Sequence, residues 1–453
     1  MAPDYGRIQD DALQILDALC RCGSVSAEGR ELDETAALVQ ELLNEAGFET
    51  KQLRADEGPA AVWGEQRGRS DYTLLLYNHY DVQPVDPLEL WDSPPFEPTV
   101  RDEKLFARGS ADNKAELAVR LAVLRALREA NDGELPIGIR WIVEGEEEVG
   151  SPNFEEIVER NVDLLRADGC LWEGASAVLP DGRPEFGLGF KGALFVRLHI
   201  RALATDAHSA LAAVAPSAAW RLVEALASLR APDGTVAIEG FYDRVLEPTA
   251  AERAALASSS KSEAAEVLDV LGLEEFVDGL TGDALLERLC YSPTANIAGL
   301  ASGYSGPGVK TVLPAEAAAG MDFRLVPHQR PREIFELLRA HLERHGFGDV
   351  EVTLLDAADP ATTPLDDPFV ARVVAVAEAV TGATASIVPI AAATLPIIAP
   401  LQRLVGVPGL AAPDNPVYSG SLAHAPNEHI RLADVEPAIR FTHALFQDLA
   451  TAR

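Results

Sequence analysis

Two histidines and a scatter of carboxylates are the residues able to do chemistry together. His79 closes a short apolar run, Tyr72 to Tyr77, with Asn78 between and Asp81 two residues on. The carboxyl end of a sheet strand is where α/β folds gather ligands. A metal-bound histidine also needs an acceptor for its second ring nitrogen, and Asp81 is placed to be one. The same spacing suits a capped loop histidine. Asp112, in the run Arg108-Gly-Ser-Ala-Asp-Asn-Lys114, is either a metal ligand or an ordinary N-cap of the helix that follows it. Glu144, Glu146, Glu147 and Glu148 crowd the end of a second strand-like run. Neighbouring carboxylates repel, and a cation or raised pKa values relieve them unless the loop is simply solvated. Glu173 ends the run Asp168 to Glu173, and His424 opens His-Ala-Pro-Asn-Glu428. Each position is ambiguous alone. Together they form the nitrogen and oxygen donor set of a hydrolytic two-metal site.

Such residues need elements to hold them. Leu32 to Phe48 carries apolar residues at helical spacing and predicts a surface helix. Tyr72 to Tyr77 and Ile137 to Val143 are nearly unbroken apolar runs, as in strands covered on both faces, with a helical stretch from Glu116 to Glu129 between them. Strand, polar loop and helix in alternation predict an α/β sheet. From Ala193 the pattern changes to strict alternation, with Val196, Leu198 and Ile200 on one face and Arg197, His199 and Arg201 on the other. The order helix, strand, strand, helix, strand that follows predicts a split βαβ sandwich. The expected fold is thus α/β: a large catalytic domain with a mixed sheet flanked by helices, plus an inserted, smaller α+β domain of βαββαβ, ferredoxin-like order. Expected boundaries are 1–190 and 357–453 for the large domain and 191–356 for the insert, with a helical insertion near 241–290.

Composition narrows the function. The 453 residues carry a net charge of −33, a balance that opposes nucleic acid and anionic membrane surfaces. No uncharged apolar run reaches the ~18 residues of a membrane span. Only Lys51, Lys104, Lys114, Lys191, Lys261 and Lys310 are lysines, so each can be judged singly. Cys20, Cys22, Cys170 and Cys290 are too few for a disulfide framework, which suits a reducing, cytoplasmic setting.

The run Tyr77 to Pro98, with Ala107 to Lys114, Glu147-Glu-Val-Gly-Ser151 and His424 to Glu428, resembles the M20 metallopeptidase family, its carnosinase-like dipeptidase branch in particular. Thr205 to Ser209, Lys310 to Pro314 and Asp322 to Pro327 extend the resemblance in the same order along the chain. The resemblance implies that Asp112 bridges two divalent ions, zinc foremost, with manganese or cobalt as alternatives. One ion would also take Glu148 and His424, the other His79 and Glu173. Asp81 would orient His79, and Glu147 would be the general base, with a cis peptide between Asp112 and Asn113. Two such cations lower the pKa of a water they share, and an adjacent carboxylate collects its proton. Glu147 and Glu148 are expected to point apart as neighbours on a strand do. His208 would reach the partner subunit's site and polarise the scissile carbonyl, Arg324 would grip a substrate carboxylate, and Asn296 would face the substrate. The implied protein is a homodimer joined through the inserted domain, acting on a dipeptide or acyl amino acid.

Ala115 and Ala210 stand where the family usually has glycine, and Ala391 to Thr394 replaces a glycine-rich turn. These departures bear on substrate shape more than on metal binding. Gly187, Gly189 and Gly192 fit a dinucleotide fingerprint, but a strand-like run follows them where a helix is required. Two alternatives stay open at this point. One is an N-acyl-amino-acid amidohydrolase using the same ions; the other is a metal-binding homologue without turnover, acting as an interaction or regulatory protein.

Overall fold

The computed structural model describes residues 3–174, 179–259, 268 and 271–451. Within the predicted helical insertion, residues 260–267 and 269–270 lie outside that description. The fold is mixed α/β and carries two principal sheets.

The larger sheet has eight strands, in the order Glu49–Leu53, Ala61–Gln66, Gly138–Glu144, Thr73–His79, Gly169–Trp172, Gly409–Ala411, Glu185–Gly187, Ser386–Val388. Its centre is parallel, since Thr73–His79 pairs in parallel with both Gly138–Glu144 and Gly169–Trp172. The outer pairs on the Glu49 side are antiparallel. Alternate side chains of the central strands enter two separate cores, which explains their unbroken apolar text. Leu74 and Leu76 join Ile139 and Trp141 beneath helices Tyr5–Cys20, Lys114–Ala130 and Leu432–Leu449. Leu75 and Tyr77 join Ile142 and Trp172 on the other face, closed by Phe154, Ile157, Ile397 and Leu401. The last two belong to the apolar run after Pro396, which packs as short helical turns rather than as a strand.

This arrangement decides where the site falls. Three adjacent parallel strands end side by side, and their carboxyl ends carry His79, Glu144 with the acidic turn after it, and Glu173 one residue beyond Trp172.

The second sheet is antiparallel, in the order Thr294–Ser302, Glu316–Leu325, Gly192–Arg201, Glu351–Ala358. Val196, Leu198 and Ile200 pack on Leu222, Leu226 and Leu338 of helices Ala218–Ser228 and Pro331–Arg344. Strand 192–201 follows the glycines 187, 189 and 192 directly, so no dinucleotide helix begins there. The outer strand Thr294–Ser302 is exposed along most of its length.

Candidate metal centre

His79 is fully buried at the end of its strand. Its Nδ1 faces the carbonyl of Asp81 at 3.1 Å and the Asp81 Oδ1 at 3.3 Å, which leaves Nε2 aimed outward. Nε2 lies 3.1 Å from Asp112 Oδ1 and 3.0 Å from Glu173 Oε2. On the far side of Asp112, His424 Nε2 lies 3.0 Å from Asp112 Oδ2 and 3.0 Å from Glu148 Oε2. Two donor groups result, His79 with Asp112 and Glu173, and Asp112 with Glu148 and His424, and Asp112 is common to both.

His79, the Asp112 loop and Glu148 are held from behind. Asp81, itself buried, accepts the backbone N–H of Glu147 on Oδ1 at 3.2 Å and that of Glu148 on Oδ2 at 3.1 Å. One carboxylate therefore ties the His79 strand end to the acidic turn. That turn is a single 3₁₀ helix, Glu147–Val149, closed by Gly150 at a φ of 90°. This corrects the expectation that strand pleating separates the two acids. Successive residues of a 3₁₀ turn point about 120° apart, which sends Glu148 to His424 while Glu147 stays beside it. Gly145 is required just before the turn, because a Cβ there would stand 2.3 Å from the Tyr80 ring.

The Asp112 loop is fixed by the last residue of the His-Ala-Pro-Asn-Glu motif, to which spacing alone assigns no task. Glu428 is buried and accepts backbone N–H groups from Gly109 at 3.0 Å, Ala111 at 2.9 Å and Asp112 at 3.1 Å. Arg108 donates to the same carboxylate at 2.6 Å and to the Pro84 carbonyl at 2.9 Å. The His-Ala-Pro-Asn-Glu segment thus supplies a ligand candidate at its start and a clamp at its end, with His424 itself at a φ of 64°. Two further supports carried no local signal. Gln83 donates to Glu148 Oε2 at 3.0 Å. Buried Arg120 ties Asn78 Oδ1, Asp414 Oδ2 and the carbonyls of Tyr77 and Trp172 together beneath the site. The Asp112-Asn113 peptide is cis.

The electrostatics identify what the cage lacks. Burial raises the Glu147 carboxyl to about 10, with Glu173, Asp112 and Glu148 adding to the rise. Burial also raises Glu173. Burial opposes a charged His79, yet Glu173, Asp112 and Asp81 outweigh it and hold the imidazole well above its usual range. Hydrogen bonds donated to Asp112 and Glu148 raise His424 to about 10. The carboxylates therefore draw positive charge onto two histidines. His79 Nε2 carries at most one proton but faces two carboxylates, and buried Glu173 Oε2 receives no hydrogen bond. Divalent cations bound by neutral imidazoles would satisfy every one of these atoms, so the residues fit a two-metal centre.

The remaining predicted residues lie on or beside the second sheet. His208 is exposed; its Nδ1 accepts the Ala210 N–H at 3.1 Å and its Nε2 is 3.4 Å from Thr311 Oγ1. Asn296 is exposed and donates to Asp322 Oδ1 across the strand pair at 2.8 Å. Arg324 donates to Thr394 Oγ1 at 2.7 Å, a bond that links the two sheets' regions. Ala115 is buried in the first turn of its helix.

Comparison with known proteins agrees with this geometry. Residues 75–448 match the model of peptidase family M20/M25/M40. An M20 family metallo-carboxypeptidase from Sulfolobus solfataricus is 34% identical, with a TM-score of 0.90 over 97% of this chain and 99% of that one. The human Beta-Ala-His dipeptidase is 26% identical over 83% of this chain and 75% of its own. The mouse Beta-Ala-His dipeptidase is 28% identical over 65% of this chain, a match that spans 61% of the mouse protein. With three adjacent strand ends, two donor groups and a family match over most of its length, the chain belongs to peptidase family M20/M25/M40.

Proposed function

We propose that this protein is a two-metal hydrolase of dipeptides that bear a free carboxylate. The observation that carries the reading is the pair of donor groups sharing Asp112, with Glu147 beside them. His79 and Glu173 would hold one cation and Glu148 and His424 the other, with Asp112 between; zinc is the first candidate. When bound, such a pair supplies a water of lowered pKa and a polarised substrate carbonyl. Glu147 then takes a proton from the attacking water and passes it to the leaving amine nitrogen. Its burial suits the first half of that task, because a carboxylate held out of bulk water is a stronger base than an exposed one.

Arg324 would pair with the substrate carboxylate, for which a planar guanidinium is the matched donor. Asn296 would line the same approach. His208, exposed and bonded only locally in one chain, would act on the scissile carbonyl in a partner's site, so that the working form is a homodimer joined through the second sheet's domain, 191–356. The cysteines, all free, suit a reducing cytoplasm. Among the described residues no helix is long and apolar enough to cross a membrane.

The dipeptidase names of the mouse and human relatives favour dipeptides over acyl amino acids and over a role without turnover. The metallo-carboxypeptidase likeness favours a second reading, removal of C-terminal residues from longer peptides. A panel of dipeptides, tripeptides, tetrapeptides and N-acetyl amino acids, assayed with zinc, manganese or cobalt, separates them. Dipeptides turned over fastest support the first reading. Equal rates on tetrapeptides support the second, and hydrolysis of the acetylated amino acids alone overturns both.

A further inference from the structure

Lys191 is one of the few lysines in the chain, and its side chain is 3% exposed. Burying an ammonium costs several kcal/mol unless its protons are met. Here Nζ donates to the carbonyls of Leu289 at 2.5 Å and Ser292 at 2.7 Å. Leu289 lies in the last turn of helix Gly282–Tyr291, whose closing carbonyls have no partner within the helix and carry the negative end of its dipole. The ammonium thus caps that helix at the point where it feeds strand Thr294–Ser302. Lys114 does the equivalent for helix Tyr5–Cys20, donating to Leu19 O and Cys22 O beneath the metal centre.

The backbone of Lys191 does a second job. Its N–H points to the carbonyls of Ala391 at 3.2 Å and Ala393 at 3.0 Å, and the Ala391 N–H returns to Gly189 O at 2.8 Å. This holds the loop that ends in Thr394. The next residue, Gly192, opens the strand in which Ala193 pairs with Arg324. Thr294, just beyond the capped helix, pairs with Arg324 from the other side, its Oγ1 accepting the Arg324 N–H at 3.3 Å. Thr394, beside the tethered loop carbonyl, accepts the Arg324 guanidinium. Three segments that fix Arg324 therefore meet at one buried lysine.

We propose that Lys191 is a positioning residue that sets where Arg324 presents its guanidinium, and so governs recognition of the substrate's carboxylate end. The inference rests on the reading of Arg324 as the carboxylate grip. Lys191 does not reach the substrate; it acts through the strand and the loop that carry Arg324 and Thr394. Burial lowers its pKa to about 8, against the pull of Cys290 and together with the repulsion of Arg324, which is consistent with a group placed for structure rather than solvation.

The test uses the metal-loaded, full-length protein and two substrates, Ala-Ala and its C-terminal amide. The wild type is expected to prefer the free acid. Lys191→Met is expected to raise KM for the free acid roughly tenfold or more, since small misplacements of a binding group carry large costs. The amide should be affected little and kcat on either substrate only modestly, while Lys191→Arg recovers most of the acid preference. Lys191→Gln, uncharged and one atom shorter, replaces Lys191→Met if the latter does not fold, and the same rise in KM for the free acid is expected of it. Arg324→Lys is run beside them. If it abolishes the acid preference while Lys191→Met, or the variant that replaces it, keeps that preference, the inference is overturned and the Arg324 reading stands. If Arg324→Lys itself leaves the preference intact, both fall.

Discussion

The two sheets of this molecule hold their polar residues in opposite ways. At the parallel strand ends His79, the Asp112 loop and Glu148 are each gripped from behind. Asp81 spans His79 and the turn of Glu147 and Glu148, Glu428 binds three N–H donors of one loop, and Gln83 fixes Glu148. On the antiparallel sheet, His208 and Asn296 are exposed and bond only to near neighbours among the described residues. The first region is a preorganised cage that one chain completes. The second offers groups whose use depends on what is placed against them, and only Arg324, anchored through Thr394 and the Lys191 junction, shares the character of the first.

The largest expected effect breaks the cage at its centre. Asp112→Asn removes the carboxylate common to both donor groups, and hydrolysis should fall about 10³-fold or more with loss of bound metal, read by turnover and by elemental analysis of the same sample. Glu147→Gln sharpens the contrast within that region. Activity should drop about 10²- to 10⁴-fold while metal stoichiometry is unchanged; undiminished hydrolysis would remove Glu147 from the role of base.

His208→Ala addresses the second region. A loss of about 10²-fold is expected from removing a group that polarises the carbonyl. If His208 works across subunits, mixing inactive His208→Ala with inactive Glu147→Gln should restore activity, because one site of each hybrid dimer holds both residues. No recovery after subunit exchange would place His208 in its own chain's site or outside catalysis. Glu428→Ala should reveal the clamp, costing about 3–5 kcal/mol by leaving Arg108 buried without its partner, read as a lower denaturant midpoint.

The smallest effect concerns a histidine remote from both sites. Burial lowers the pKa of His443, whose ring packs edge-on to Tyr5 at 5.8 Å. The unfolded chain then binds more protons than the folded one below the ordinary histidine value of about 6.5, so this group erodes stability as pH falls through that range. His443→Phe should therefore lose less of its melting temperature than the wild type between pH 7.5 and pH 5.5; identical pH dependence would contradict the assignment.

Much of this was legible in the amino-acid text because the centre lies at strand ends. The run Tyr72 to Tyr77 had to be a doubly covered strand, and a strand of that kind must deliver His79 at its edge. The alternation from Val196 to Arg201 likewise marked a half-covered sheet, as found. Local patterns were silent on convergence over long separations. Glu428 looks like any loop acid until the fold brings it 2.9 Å from the Ala111 nitrogen. Arg120 sits in an apolar helix face, and nothing nearby announces that Asp414 awaits it. Glu147 and Glu148 are divided by a 3₁₀ turn, not by the pleat that adjacency at a strand end suggests. Such features depend on tertiary contacts that periodicity does not encode.

The proposed chemistry requires Asp112 to hold two cations at once. Crystals grown with zinc and measured on either side of its absorption edge should show two anomalous peaks about 3.5–4 Å apart flanking the Asp112 carboxylate, one against His79 and Glu173, the other against Glu148 and His424. A single peak at full occupancy, or two peaks that leave Asp112 unbound, would contradict it.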